Sequence, residues 1–192
     1  MSSSYKKFPI ALKKGPFSVA DAQMLGVNRL KLFRLVQHGY LERLERGIYR
    51  VCAEDIDDEE AFRAATLRVG PDSAICLLSA LSYYHLSDEI PHQIWLMVEQ
   101  QKRTIHRDLR VIRVLHPNWN IGIETYRGYK ITSIERTLVE AIIGRRYLGP
   151  MLGIESLKLA LIEKKTTLAK VIDMASKLGF LNRIKHVIEV LV

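Results

Sequence analysis

Residues Phe17–Val51 read FSVADAQMLG VNRLKLFRLV QHGYLERLER GIYRV, and this stretch decides the fold of the amino-terminal part. The Ser18 hydroxyl can accept a free backbone N–H of a first helical turn, so Ser18 caps a short helix over Val19–Leu25. Gly26 ends that helix by taking a left-handed conformation. Asn28 caps a second helix, Arg29–His38, which Gly39 stops. Two short helices across a glycine-containing turn have the spacing of a helix-turn-helix. Leu41 and Leu44 then flank one arm of a hairpin, Ile48, Tyr49 and Val51 form the other, and Gly47 supplies the turn. A hairpin directly after a helix-turn-helix is a winged helix. Upstream, Leu12-Lys13-Lys14-Gly15-Pro16 ends any first helix.

The second helix has two unlike sides. At about 100° per residue, Leu32, Phe33, Leu35 and Val36 fall together and are expected to face the core. Lys31, Arg34 and His38 lie opposite, with Leu30 and Gln37 flanking them. A leucine on that outer side is informative, because in a major groove it can touch a thymine methyl while Lys31 and Arg34 reach phosphates or guanine edges. Arg29, in the first turn, can swing outward to phosphate. On the wing, Arg46 sits beside Gly47 at the tip, and Arg43 and Arg50 flank the strands, where Glu42 and Glu45 could instead pair with them. The expected DNA-contacting set is Ser18, Asn28, Arg29, Leu30, Lys31, Arg34, Gln37, His38, Arg43 and Arg46.

Charge follows the same division. Residues 1–51 hold ten basic and three acidic side chains, residues 52–61 hold six acids and no base, and the formal net charge of the 192-residue chain is +8. A basic head followed by an acidic connection suits a polyanionic partner, although a solvated basic surface is the plainer alternative. The acids of Asp55–Glu60 also stand where a helix N-terminus favours negative charge. The expected division is a winged-helix domain over 1–52, an acidic connection over 53–60 and an α+β domain over 61–192.

Hydrophobic residues make up 48% and charged residues 26%, which supports a buried core and excludes a disordered or collagen-like chain. No apolar run approaches the ~18 residues of a membrane span, and the start lacks the apolar stretch of a signal peptide. Cys52 and Cys76 do not have metal-site spacing and are too few for a disulfide scaffold. These features describe a cytosolic, reduced, globular protein.

Beyond the connection, a helix is expected over Asp58–Val69 and a mostly apolar one over Ser73–His85. Gln93–Val98, Leu109–Leu115, Ile121–Tyr126 and Tyr129–Thr132 read as strands, the last two joined by Arg127-Gly128. Ser133 caps a helix through Ile143, and Ile154–Glu163, Leu168–Lys177 and Leu181–Leu191 are helical. Apolar stripes such as Leu157, Ala160 and Leu161 fit helix-on-helix burial, and a leftover stripe could pair two copies on a symmetric operator. Lys102, Arg103, Arg107, Arg110 and Arg113 form a second basic patch, read either as a solvated hairpin or as another polyanion surface, for DNA flanks or for RNA.

An enzymatic reading is weaker. A metal-dependent nuclease needs clustered acids with a lysine two positions after one of them. Here Glu99 and Lys102 are three apart, on opposite faces of a strand, and nothing pins Asp88 or Glu89 beside them. His85, His92, His106 and His116 share no spacing that converges on a metal, and His85 reads as a helix-end packing residue. Neither catalytic residues nor metal ligands nor cofactors are expected.

Three blocks resemble the AbiEi antitoxin family. The first is Phe17-Ser18, Leu25-Gly26-Val27, Leu32-Phe33-Arg34-Leu35-Val36, His38–Leu44 and Arg46-Gly47-Ile48-Tyr49-Arg50. The second is Leu78–Asp88 and the third Ile131–Glu140. Leu30 departs from the small polar residue expected in the first block. These proteins are transcriptional regulators paired with toxins in type IV toxin–antitoxin and abortive-infection systems. The resemblance implies a winged-helix repressor of its own toxin operon, with a C-terminal domain needed to counter a nucleotidyltransferase-like toxin without a stable complex. The expectation is therefore an α+β protein, an N-terminal winged helix-turn-helix and then a mixed α/β domain ending in helices, that binds operator DNA. The alternative is a stand-alone winged-helix transcription factor whose second domain senses a ligand or a protein.

Overall fold

The computed structural model describes residues 8–52, 58–103, 106–115, 119–126 and 128–191. Residues 53–57 of the expected acidic connection over 53–60, together with His116 and Arg127, lie outside them. The chain forms two compact units, Met1–Gly70 and Pro71–Val192.

In the first unit, a 3₁₀ turn over Ile10–Lys13 precedes strand β1 (Phe17–Ser18), helices α1 (Val19–Met24) and α2 (Arg29–Gln37), strands β2 (Leu41–Glu45) and β3 (Ile48–Val51), and helix α3 (Asp58–Val69). Local chemistry sets the helix starts. Ser18 and Asp21 form a reciprocal capping box at α1, and the Asn28 side chain accepts from the Lys31 N–H at 2.9 Å. Gly26 (φ +77°) takes the left-handed conformation that lets the chain reverse between α1 and α2. Leu12, Phe17, Ala22, Val27, Leu32, Leu35 and Leu41 close the core.

Strand β1 was not expected. It pairs antiparallel with β3, Phe17 opposite Tyr49 and Ser18 opposite Ile48, making the wing a three-stranded sheet of order β1-β3-β2. The unit boundary also differs from the expected one at residues 53–60, because α3 groups with the head. Arg50 reaches Glu60 at 3.5 Å, Arg68 reaches Glu45 at 2.5 Å, and Arg63 donates to the Lys14 carbonyl.

The second unit contains β4 (Ala74–Ile75), α4 (Leu77–Tyr83), β5 (Ile94–Glu99), β6 (Leu109–Val114), β7 (Ile123–Tyr126), β8 (Tyr129–Thr132) and helices α5 (Ile134–Ile143), α6 (Arg145–Leu148), α7 (Leu152–Ile162), α8 (Leu168–Lys177) and α9 (Leu181–Leu191). The expected single helix over Ser73–His85 is instead a strand followed by a helix. Ala74 and Ile75 pair antiparallel with Met97 and Leu96, and Ile75 also pairs parallel with Ile131, so this short strand is the centre of the sheet β6-β5-β4-β8-β7. Buried on both faces, it shows a continuous apolar run rather than alternation.

The expected hairpin around residues 102–113 is also absent: β5 and β6 run parallel, with Ile94 opposite Leu109 and Glu99 opposite Val114. Helix α6 lies between the expected helices ending at Ile143 and starting at Ile154. Helix α5 forms the hub, burying Leu138, Val139, Ala141 and Ile142 with Leu157, Ala160, Val171, Ala175, Ile184 and Val187 of the last three helices. A Cβ at Gly153 would stand 2.6 Å from the Ala141 carbonyl carbon, so only glycine allows α7 to approach α5 this closely. Arg136 of α5 is 1% exposed; its Nε donates to Glu140 Oε1 at 3.0 Å, and its guanidinium donates to the Trp119 and Ile121 carbonyls.

Candidate nucleic-acid interface

Helix α2 is held by Leu32 and Leu35, both buried. Phe33, expected in the core, is 60% exposed. On an ideal helix it lies about 100° from Leu32 and about 160° from Leu35, outside the narrow arc that α2 buries. The direction opposite that arc falls between Leu30, 57% exposed, and Gln37, with Phe33 and Arg34 on either side. Lys31 is half-buried, and Arg29 and His38 occupy the margins of this exposed face. The outward centre thus moves from Lys31–Arg34–His38 toward Leu30 and Gln37, and gains Phe33. Phe33 departs from its expected core position because the i, i+3, i+4 pattern alone does not fix how wide the buried arc is. Its signal was the surplus of apolar positions on a nine-residue helix.

Ser18 and Asn28 spend their side-chain oxygens on their own helices as caps. Arg34 is exposed and, among the described residues, makes neither an ion pair nor a side-chain hydrogen bond. Arg46 is equally unencumbered at the wing tip, beside Gly47 with φ +86°. Arg43 is exposed, its Nε donating to the Glu45 carbonyl at 3.1 Å, next to an irregularity in the β2–β3 register. Arg50 is different. It is 6% exposed, stands opposite Glu42 in the sheet, and donates to that carboxylate at 2.6 Å. The cross-strand pairing with Glu42 that the sequence allowed is therefore formed. Arg50 is part of the wing's internal structure.

The exposed groups on α2 and the wing have complementary capacities. Arg34 can donate a bidentate pair to a guanine edge or to phosphate, Gln37 can pair with adenine, and Leu30 and Phe33 can contact thymine methyls. Arg46 carries charge at the tip, where phosphate contact needs no base geometry.

In the second unit, the basic residues at 102–113 occupy different settings. Arg110 stacks 4.8 Å over the Trp95 ring, and Arg113 Nε donates to the Lys102 carbonyl at 3.4 Å. Arg103 and Arg107 are exposed and Lys102 is half-buried. Glu99 is exposed at the end of β5, and its carbonyl accepts from the Lys102 N–H at 3.1 Å. Among the described residues, no group of three or more His, Cys, Asp or Glu side chains is placed to hold a metal, and no helix is long and apolar enough to cross a membrane.

Residues 9–51 match the family model described as a transcriptional regulator, AbiEi antitoxin. No curated protein matches the chain. The crystal structure of the RV2827C protein from Mycobacterium tuberculosis is similar, with a TM-score of 0.57 at 15% identity, over 84% of this chain and 66% of that one. This chain therefore spans just under two thirds of that protein, and at such identity the likeness is one of fold. The matched stretch runs from the 3₁₀ turn through β3, so it contains the capped helices, the α2 face and the wing. The head of this chain is thus similar to the transcriptional regulators of the AbiEi antitoxin type.

Proposed function

We propose that the protein is a sequence-specific antitoxin repressor: its head binds the operator of its own toxin–antitoxin operon, and its second unit counteracts a nucleotidyltransferase-like toxin without a stable complex. The observation that carries this reading is the exposed face of α2, where the polar groups of Arg34 and Gln37 adjoin the exposed apolar side chains of Leu30 and Phe33. A face selected only for solubility would not expose two large apolar side chains on one nine-residue helix. In a major groove those side chains read thymine methyls while Arg34 and Gln37 read purine edges. Arg46, with Arg43 beside it, holds the backbone and sets the register. Arg29, Lys31 and His38 add phosphate contacts at the margins, and Ser18 and Asn28 place the helix N-termini against the backbone through their caps.

The test uses a reporter fused to the protein's own upstream region, together with growth of cells expressing the neighbouring toxin. The wild-type protein represses the reporter and restores growth. A Lys31→Ala/Arg34→Ala double variant supplied from an unrelated promoter loses repression yet still restores growth. Repression that survives the double substitution would reject the α2 assignment. Failure of the wild type to restore growth would reject the antitoxin role and leave a plain transcription factor.

A further inference from the structure

The second unit contains a cavity of about 610 Å³ that the DNA-binding reading does not use. It opens between edge strand β6, the start of α4, the end of α5, α6 and the start of α9. Its floor is apolar: Leu77, Met97, Ile112 and Ile143 converge there. Arg113, Arg146 and Arg183 line the same cavity. Arg146 lies 4.5 Å over the Tyr147 ring and Arg183 lies 5.4 Å over Phe180, so both guanidiniums rest on aromatic faces. Among the described residues neither Arg146 nor Arg183 has a carboxylate partner. A size between 300 and 1,000 Å³, an apolar lining and a few convergent polar groups are the usual features of a small-molecule site.

The acid and the thiol in the wall do not cancel the cations. The Glu140 carboxylate is already engaged by Arg136 Nε at 3.0 Å. Burial pushes the Cys76 thiol well up, so it lines the cavity as a neutral group. Strain gathers at the same wall: Leu77 has φ +46°, a conformation costly for a side chain branched beyond Cβ and typically retained where a site needs it. Just beside the cavity, Arg145 approaches His186 at 2.5 Å in a smaller depression that shares Ile143 and Arg183 with it. The cationic character therefore continues along one face.

The geometry points to a binding site for a small organic anion, whose apolar body fills the floor and whose single carboxylate or phosphate head is held by Arg146 and Arg183. The apolar floor argues for the body, since it would leave a bare inorganic anion without partners beyond the rim. The guanidiniums argue for the head, because Arg pairs in planar, bidentate fashion with either oxyanion.

The experiment titrates the full chain with 8-anilinonaphthalene-1-sulfonate, a fluorescent aromatic anion, then adds competitors. Expected is saturable binding at one site, displaced by decanoate or by phenyl phosphate; which of the two is stronger separates a carboxylate head from a phosphate one. In an Arg146→Ala/Arg183→Ala variant with an unchanged circular dichroism spectrum, affinity should fall about tenfold or more, as expected for losing charge-assisted hydrogen bonds. An Arg146→Lys/Arg183→Lys variant should recover part of that loss. Absent or unsaturable binding, or binding indifferent to the alanine pair, would overturn the assignment. So would displacement by inorganic phosphate as effective as by decanoate, which would leave the floor without a role. Displacement by a short oligouridine but by neither small anion would overturn it too, and would give the face to single-stranded nucleic acid.

Discussion

The arginines of the head and those of the second unit differ in what the fold already does with them. On the α2 face and at the wing tip, Arg34 and Arg46 project from elements whose cores are closed without them. At 102–113, Arg110 covers Trp95 and Arg113 is tied to the Lys102 carbonyl, so part of that charge is already spent on packing. Arg50 and Arg136 go further, as buried cations locked to Glu42 and Glu140. A net charge of +8 does not distinguish these cases. Burial and partners do. A cation left idle by its own fold is available to a partner, whereas one already paired is part of the scaffold.

The largest expected effect lies at the scaffold end of this comparison. Arg136→Met should lower stability by about 3–5 kcal/mol, because it leaves the Glu140 carboxyl buried without its counter-ion and orphans two loop carbonyls. Urea denaturation followed by circular dichroism measures it. A loss below 1 kcal/mol, on the order of a surface pair, would mean that Arg136 is no more structural than an exposed arginine.

Next comes the interface end. Arg34→Ala should weaken operator binding by about 1–3 kcal/mol without lowering stability, and Lys31→Ala by less, since Lys31 is half-buried at the margin of the exposed face. Equal losses for the two would restore Lys31 to the centre of the contact surface. Phe33→Ala should leave the urea midpoint nearly unchanged while relaxing the preference for thymine at one position. A large stability loss would show that Phe33 packs against the head after all.

A smaller effect separates Arg46 from Arg50. Arg46→Ala should reduce the slope of log affinity against log salt by about 0.9, the contribution of one phosphate contact. In Arg50→Met the slope should stay that of the wild type, and only the unfolding midpoint should move. If both variants change the slope equally, the wing arginines act alike and the distinction fails.

The smallest effect is chemical. A thiol reagent added to the native protein should modify the exposed Cys52 and spare Cys76, whose thiol is buried and pushed up mainly by desolvation. Two equivalents of fast modification before unfolding would show that Cys76 is reachable in the folded protein.

The sequence was most legible where short-range chemistry decides the structure. The Ser18 and Asn28 caps, the glycine turns and the Ser133 cap each fall within one turn of the element they define, and the helices follow from them. The two-residue strands β1 and β4 carry too few positions for a period, and Ala74–Ile75 merges with the apolar run of α4. The parallel pairing of β5 with β6 is a property of topology, and an alternating pattern does not reveal it. On α2, the candidate residues were legible as types on a helix face. Which way that face turns was not, because the buried arc depends on how Leu32 and Leu35 seat against the rest of the head. That is why Phe33 was read as core.

The central claim is that the α2 face reads a sequence. Fluorescence anisotropy of the full-length protein, at one fixed salt concentration, against its own upstream duplex and a shuffled duplex of the same composition tests it most directly. Binding to the upstream duplex should be tighter by about 10³-fold or more, the usual gap between specific and non-specific sites, with Arg34→Ala giving up part of that gap. Equal affinity for the two duplexes, or a gap untouched by Arg34→Ala in a folded protein, would contradict it.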